Sequence, residues 1–124
     1  MRLLLDTHAL IWALEDSESL SATAREVIVD LENQVLVSAA SAIEIAIKVS
    51  LGKLEAPQDL QDAVDRAGFI AINLDFAAAA KLSSLPFHHR DPFDRLLVAH
   101  ALTENATLVT RNPAFRPYPI QTIW

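Results

Sequence analysis

The sequence predicts an α/β sandwich built on a mostly parallel sheet. Short apolar, β-like runs alternate along it with helical patterns. Successive runs are separated by a dozen or more residues that contain helices, the length of a crossover and not of a hairpin. The runs are apolar without clean alternation, as strands covered on both faces are.

Residues 2–5 (RLLL) read as a buried strand and 9–15 (ALIWALE) as a short helix. Leu20, Ala24, Val27, Ile28 and Leu31 have helical spacing, with Ser21 able to cap. Residues 35–37 (VLV) form a second strand, and 42–51 a helix closed by Gly52 in a left-handed cap. Pro57 opens a helix that ends before Gly68. Residues 69–74 (FIAINL) are a third strand, and Asp75 caps a helix to about residue 83. Residues 92–103 are helical, 107–110 (TLVT) is a fourth strand, and the tail IQTIW supplies a fifth.

At 124 residues the chain has room for one core, so 1–124 is read as a single domain. Hydrophobic residues at 52% and charged residues at 21% describe a globular chain, not a disordered one. No apolar run approaches the roughly 18 residues of a membrane span. Asp6 interrupts any would-be signal core, so a cytoplasmic location is expected. The absence of cysteine excludes disulfides and thiolate metal sites. A net charge of −6 argues against a module that binds nucleic acid by basic charge alone. Residues 1–84 hold 6 Lys+Arg and 13 Asp+Glu, whereas residues 85–124 hold 4 Arg and 3 acids. An anionic partner is therefore expected at the C-terminal third, unless the imbalance is scatter.

In open parallel sheets, ligands bind beyond the carboxyl ends of the strands. Asp6 immediately follows the first strand, Ser38 leads from the second to Glu44, and Asp91 and Asp94 begin the helix before the fourth. Glu44 lies among Ala40, Ile43, Ile45 and Ile47, where a carboxylate is costly unless paired or bound to a metal. Ser41 and Glu44 also fit a capping box. Asp91, Pro92 and Asp94 fit a helix start, yet Asp94 shares its face with Val98, Ala101 and Leu102. Asp6 can equally cap the first helix. His8 reads as a packing residue, His88-His89-Arg90 as a solvated loop, and Trp12 as core or interface.

Taken together, these carboxylates repel one another unless a cation relieves them. An all-oxygen set favours Mg²⁺ or Mn²⁺ over Zn²⁺, and such an ion suits phosphodiester hydrolysis.

The segments LLLDTHALIWAL, VSAASAIEIAIKVSLGKL and HHRDPFDRLLVAHAL…TLVTRNPAF resemble the PIN-domain family, and within it the VapC-type toxins of bacterial toxin–antitoxin pairs. The resemblance spans roughly residues 3–115. It implies a three-layer α/β/α fold, a Mg²⁺- or Mn²⁺-dependent endoribonuclease, a homodimer, and neutralisation by a small antitoxin. Carried over, Asp6, Glu44 and Asp94 match the family's catalytic, metal-holding acids, with Asp91 the additional acid of the DPFD form. The usual fourth acid is Asn112 here, which offers a carbonyl ligand but no charge. Arg90, Arg95 and Arg111, with Thr7 and Thr110, are candidate substrate contacts, although the arginines can equally neutralise the acids. Asn112 also motivates a second reading, a catalytically silent PIN-like domain that only binds another protein. A phospho-acceptor receiver domain is disfavoured, because a single acid follows the first strand and no Lys lies beyond Lys81.

Overall fold

The computed structural model describes residues 1–124. Its elements run β1 (Arg2–Leu5), α1 (Thr7–Leu14), α2 (Ala22–Val29), β2 (Gln34–Ser38), α3 (Ala39–Ser50), α4 (Leu60–Arg66), β3 (Ile70–Ile72), α5 (Phe76–Ser83), α6 (Pro92–Thr103), β4 (Thr107–Val109) and β5 (Thr122–Ile123), with one 3₁₀ turn at Pro113–Phe115. The strands form one sheet in the order β3-β2-β1-β4-β5, and every pairing is parallel. The chain lays β2 and β3 to one side of β1, then returns with β4 and β5 on the other. That reversal opens a crevice between the carboxyl ends of β1 and β4.

Alternate strand residues feed opposite faces. Leu3, Leu5, Val35, Val37 and Val109 pack with Ala9 and Leu10 of α1, Ala24 of α2, Ile45 of α3 and Val64 of α4. Leu4, Leu36 and Leu108 pack on the other face with Leu97 and Val98 of α6, Phe115 and Tyr118. The expected three layers are therefore present.

Caps account for the main differences from the sequence reading. Ser38 accepts from Ala40 N at 3.0 Å, so α3 begins at Ala39 and not at residue 42. Glu44 then stands in mid-helix and the Ser41–Glu44 capping box does not form. Pro57 does not open α4; Asp59 caps it, accepting from Asp62 N at 3.0 Å. The helix at residue 9 starts at Thr7, because Asp6 accepts from Ala9 N at 2.8 Å. Gly52 and Gly68 adopt φ of 69° and 77°, the left-handed stops expected of them.

His100 lies 2% exposed on α6, with Nδ1 2.7 Å from Ser38 Oγ. Burial lowers its pKa, outweighing its bond to the Asn73 backbone and the charges of Glu104 and Asp75. A histidine held neutral contributes stability that is present above its ordinary value of 6.5 and is lost as pH falls. Urea midpoints should therefore fall more steeply between pH 7 and 5 for the parent than for His100→Leu.

Candidate active site

Asp6 directly follows β1 and is 6% exposed. Its Oδ1 caps α1, and its Oδ2 accepts from Thr110 Oγ1 at 2.5 Å, across the crevice from the residue after β4. One carboxylate thus closes the helix and ties two strand ends together. Glu44, also 6% exposed, is reached through the next residue: Thr7 Oγ1 donates to its Oε1 at 2.6 Å. Thr7 Oγ1 further bonds Ser41 Oγ at 3.1 Å, and Lys48, one turn along α3, pairs with Glu44 Oε2 at 2.8 Å. Neighbouring residues of β1's exit therefore hold two buried carboxylates, each satisfied by a different hydroxyl.

Asp94 approaches from the first turn of α6. Its N–H is capped by Asp91 Oδ1 at 3.0 Å, and its Oδ2 lies 3.2 Å from His89 Nε2. His89 Nδ1 is 3.0 Å from the Tyr118 hydroxyl, which also accepts from Arg95 Nη1 at 3.3 Å. Asp91 is exposed and serves as N-cap, bonding Phe93 N and Asp94 N. Asn112 caps the 3₁₀ turn through Ala114 N at 3.0 Å, and its own N–H donates to Thr110 Oγ1.

The charges couple. Burial pushes Asp6 above the usual carboxylate range; Thr110 and Ala9 N–H oppose this, and Glu44 adds to it. Burial, then the Asp91 charge, push Asp94 up to about 6, with Glu44 contributing and His89 opposing. Lys48 is raised, first by its bond to Glu44 and further by the charges of Asp91 and Asp94. Acids from β1, α3 and α6 thus share one field at the carboxyl edge of the sheet. No three Asp, Glu or His side chains stand in a ready coordination shell, however.

The candidate substrate residues divide. Arg90 and Arg111 are exposed; the Arg111 guanidinium lies 4.6 Å from the Trp12 ring centroid. Arg95 is 7% exposed and donates to the Pro86 carbonyl at 2.9 Å. Thr7 and Thr110 are spent on the carboxylates.

The PIN domain family model matches residues 3–120. The chain belongs to the PIN domain family. Solved structures similar in fold to this PIN domain include VapBC2 from Rickettsia felis bound to a promoter DNA fragment (TM-score 0.71, 19% identity, covering 99% of this chain and 98% of that one). DNA-bound VapBC from Salmonella typhimurium matches at TM-score 0.71 and 18% identity, covering 99% and 97%. A toxin–antitoxin complex from Klebsiella pneumoniae matches at TM-score 0.67 and 20% identity, covering 98% and 96%. No curated protein sequence matches the chain. No helix of this PIN domain is long and apolar enough to cross a membrane.

Sequence reasoning assigned no role to Lys48, His89 or Tyr118. The i,i+4 spacing of Glu44 and Lys48 was a usable signal. His89, expected in a solvated loop, is instead held between Asp94 and Tyr118. Tyr118 is 29 residues from His89, and no local pattern joins them.

Proposed function

We propose that this PIN domain is a metal-dependent endoribonuclease toxin of the VapC type, neutralised by a cognate antitoxin. The observation that carries the reading is the pair of buried carboxylates, Asp6 and Glu44, tied through Thr110 and Thr7 to the strand ends that flank the crevice. Burying two acids within reach of each other's charge is costly, so a pair kept in this position points to a use beyond stability.

The donors suit a hard divalent cation: they are oxygens, and the chain has no cysteine. Asp6, Glu44 and Asp94 would hold Mg²⁺ or Mn²⁺, with Asp91 adding charge and Asn112 at most a weak carbonyl. Bound there, such an ion supplies charge neutralisation at the phosphodiester and an acidified water. Thr7 and Thr110 fix the carboxylate rotamers, and Asp91 and His89 orient Asp94. Lys48 balances the charge of Glu44, a role that a bound cation would share. Arg111, braced on Trp12, and Arg90 are the exposed guanidiniums available to a phosphate.

The antitoxin follows from the toxin–antitoxin complexes among the similar folds. Ile43 and Ile47 on α3, with Leu51 at its C-cap, follow an i, i+4, i+8 spacing and give an exposed apolar row for it, or for a second copy in a homodimer.

Cleavage of single-stranded RNA is expected with Mn²⁺ or Mg²⁺ and not with EDTA. If no RNA is cut with either metal, the silent protein-binding reading takes its place; Asn112, uncharged where the family carries an acid, favours that alternative.

A further inference from the structure

Between α5 and α6, Phe87 stands 74% exposed. Its one recorded ring partner is the Arg95 guanidinium, 4.2 Å from the centroid. The pairing is unusual from the arginine's side. Arg95 is 7% exposed and lies within salt-bridge reach of no carboxylate. Its Nη1 donates to the Pro86 carbonyl and the Tyr118 hydroxyl; Nε and Nη2 make no bond within the chain, yet are not sealed from solvent. A buried cation without a counter-charge is costly. Here it sits under a solvent-facing aromatic ring and holds that ring in place.

We propose that Phe87, seated on Arg95, is a stacking platform for a nucleobase of single-stranded RNA threading past the carboxylates. The proposal rests on the RNA-cleavage reading and specifies where the strand lies. Arg95 directly follows Asp94, and the bonds Arg95–Tyr118–His89–Asp94 tie platform to site. The Phe87 ring and the Asp94 carboxylate are thus joined through one chain of contacts. A base stacked on the outer face of the ring would carry its strand past exposed Arg90, three residues further along the same loop.

Charge favours a base over a protein as occupant. The ring is a lone apolar surface flanked by exposed Pro86, His88, Arg90 and Asp91, whereas the cores of protein interfaces are depleted of charge. In a chain of net charge −6, residues 85–124 alone carry net positive charge, which is where a polyanion is tolerated. Stacking is tolerant of sequence because every base has a π-face, with preferences set by stacking strength. The platform should therefore prefer purines modestly.

The test is fluorescence anisotropy of labelled adenine oligoribonucleotides, measured in EDTA so that nothing is cut. Phe87→Ala should weaken binding by about 5- to 160-fold, the span one stacked base contributes. Phe87→Trp should retain binding, and Phe76→Ala, which removes an equally bare ring from α5, should leave it unchanged. Oligonucleotides with one abasic residue, stepped along the strand, should show a single position that weakens binding to the parent and not to Phe87→Ala. With Mn²⁺, the same variant should raise KM and hold kcat.

Binding of Phe87→Ala equal to the parent's overturns the proposal. So does a loss shared by every abasic position, or an oligomer in sedimentation that Phe87→Ala dissociates, which makes the ring a protein contact. Failure of the parent to cut RNA, with Phe87-dependent binding intact, strikes the nuclease reading and not this one.

Discussion

Asp6→Asn is expected to reduce RNA cleavage by on the order of 10²–10³-fold, the scale of losing one preorganised group at a charged reaction centre. The fold should survive. The amide keeps an oxygen for Ala9 N–H, which Asp6 Oδ1 now accepts at 2.8 Å. Its NH₂ faces Thr110 Oγ1, and a hydroxyl has acceptor capacity for it beside the Asn112 N–H already bound there. The charge disappears, which burial already disfavours, and the Thr110 hydroxyl turns from donor to acceptor toward residue 6. The variant should therefore unfold at a urea midpoint no lower than the parent's in EDTA, and should lose the stabilisation that Mn²⁺ confers on the parent. Cleavage at parental rate, with the fold intact, removes Asp6 from the mechanism.

Asp94→Asn is expected to stabilise the metal-free protein by about 1–2 kcal/mol at pH 8. Burial and Asp91 hold Asp94 at a pKa of about 6, against 3.8 ordinarily. A raised carboxyl pKa means that the folded state binds the proton more tightly than the unfolded one. Its favourable contribution is complete below pH 3.8 and is lost as pH rises through about 6. Two pKa units correspond to about 3 kcal/mol, and the one-fifth exposure of the side chain and the lost hydrogen bond with His89 reduce that figure. The parent should thus lose stability between pH 5 and 7 where the variant does not, and the two curves should converge near pH 4. Urea unfolding in EDTA across that range checks it. The same substitution should cripple cleavage, a stability gain bought with activity. A destabilised variant at pH 8 would mean that the His89 bond outweighs the burial of charge.

The strand ends were legible because local chemistry marks them. LLL followed by Asp6, and VLV followed by Ser38, each end an apolar run on a polar side chain; Asp6 caps α1 as the sequence allows, and Ser38 caps α3 where Ser41 was expected to. The Asp91-Pro92 start of α6 was equally plain, and that helix runs 92–103 as its pattern indicates. Helix starts slipped where two caps competed: Ser38 prevailed over Ser41, and Asp59 over Pro57. The third strand was read as 69–74, whereas only Ile70–Ile72 find partners, on Leu36–Ser38. Pairing depends on what the neighbour offers, and a single strand does not encode that.

At the candidate site, the acids were visible as expensive residues in apolar company. Their partners were not. Thr7 and Thr110 look like ordinary β-branched residues until β4 lies beside β1, where the Thr110 hydroxyl meets Asp6, and α3 lies beside α1, where the Thr7 hydroxyl meets Glu44. His89 and Tyr118 are joined only by the return of the chain across the second face of the sheet.

The sheet's outermost strands, β3 and β5, are three and two residues long. A visiting polypeptide in extended form would find almost no rung to grip at either margin, so strand addition is a poor way to join this molecule. Lasting companions must be recognised through helical side chains instead. Point changes on those surfaces should therefore re-specify who binds without disturbing the main-chain ladder beneath.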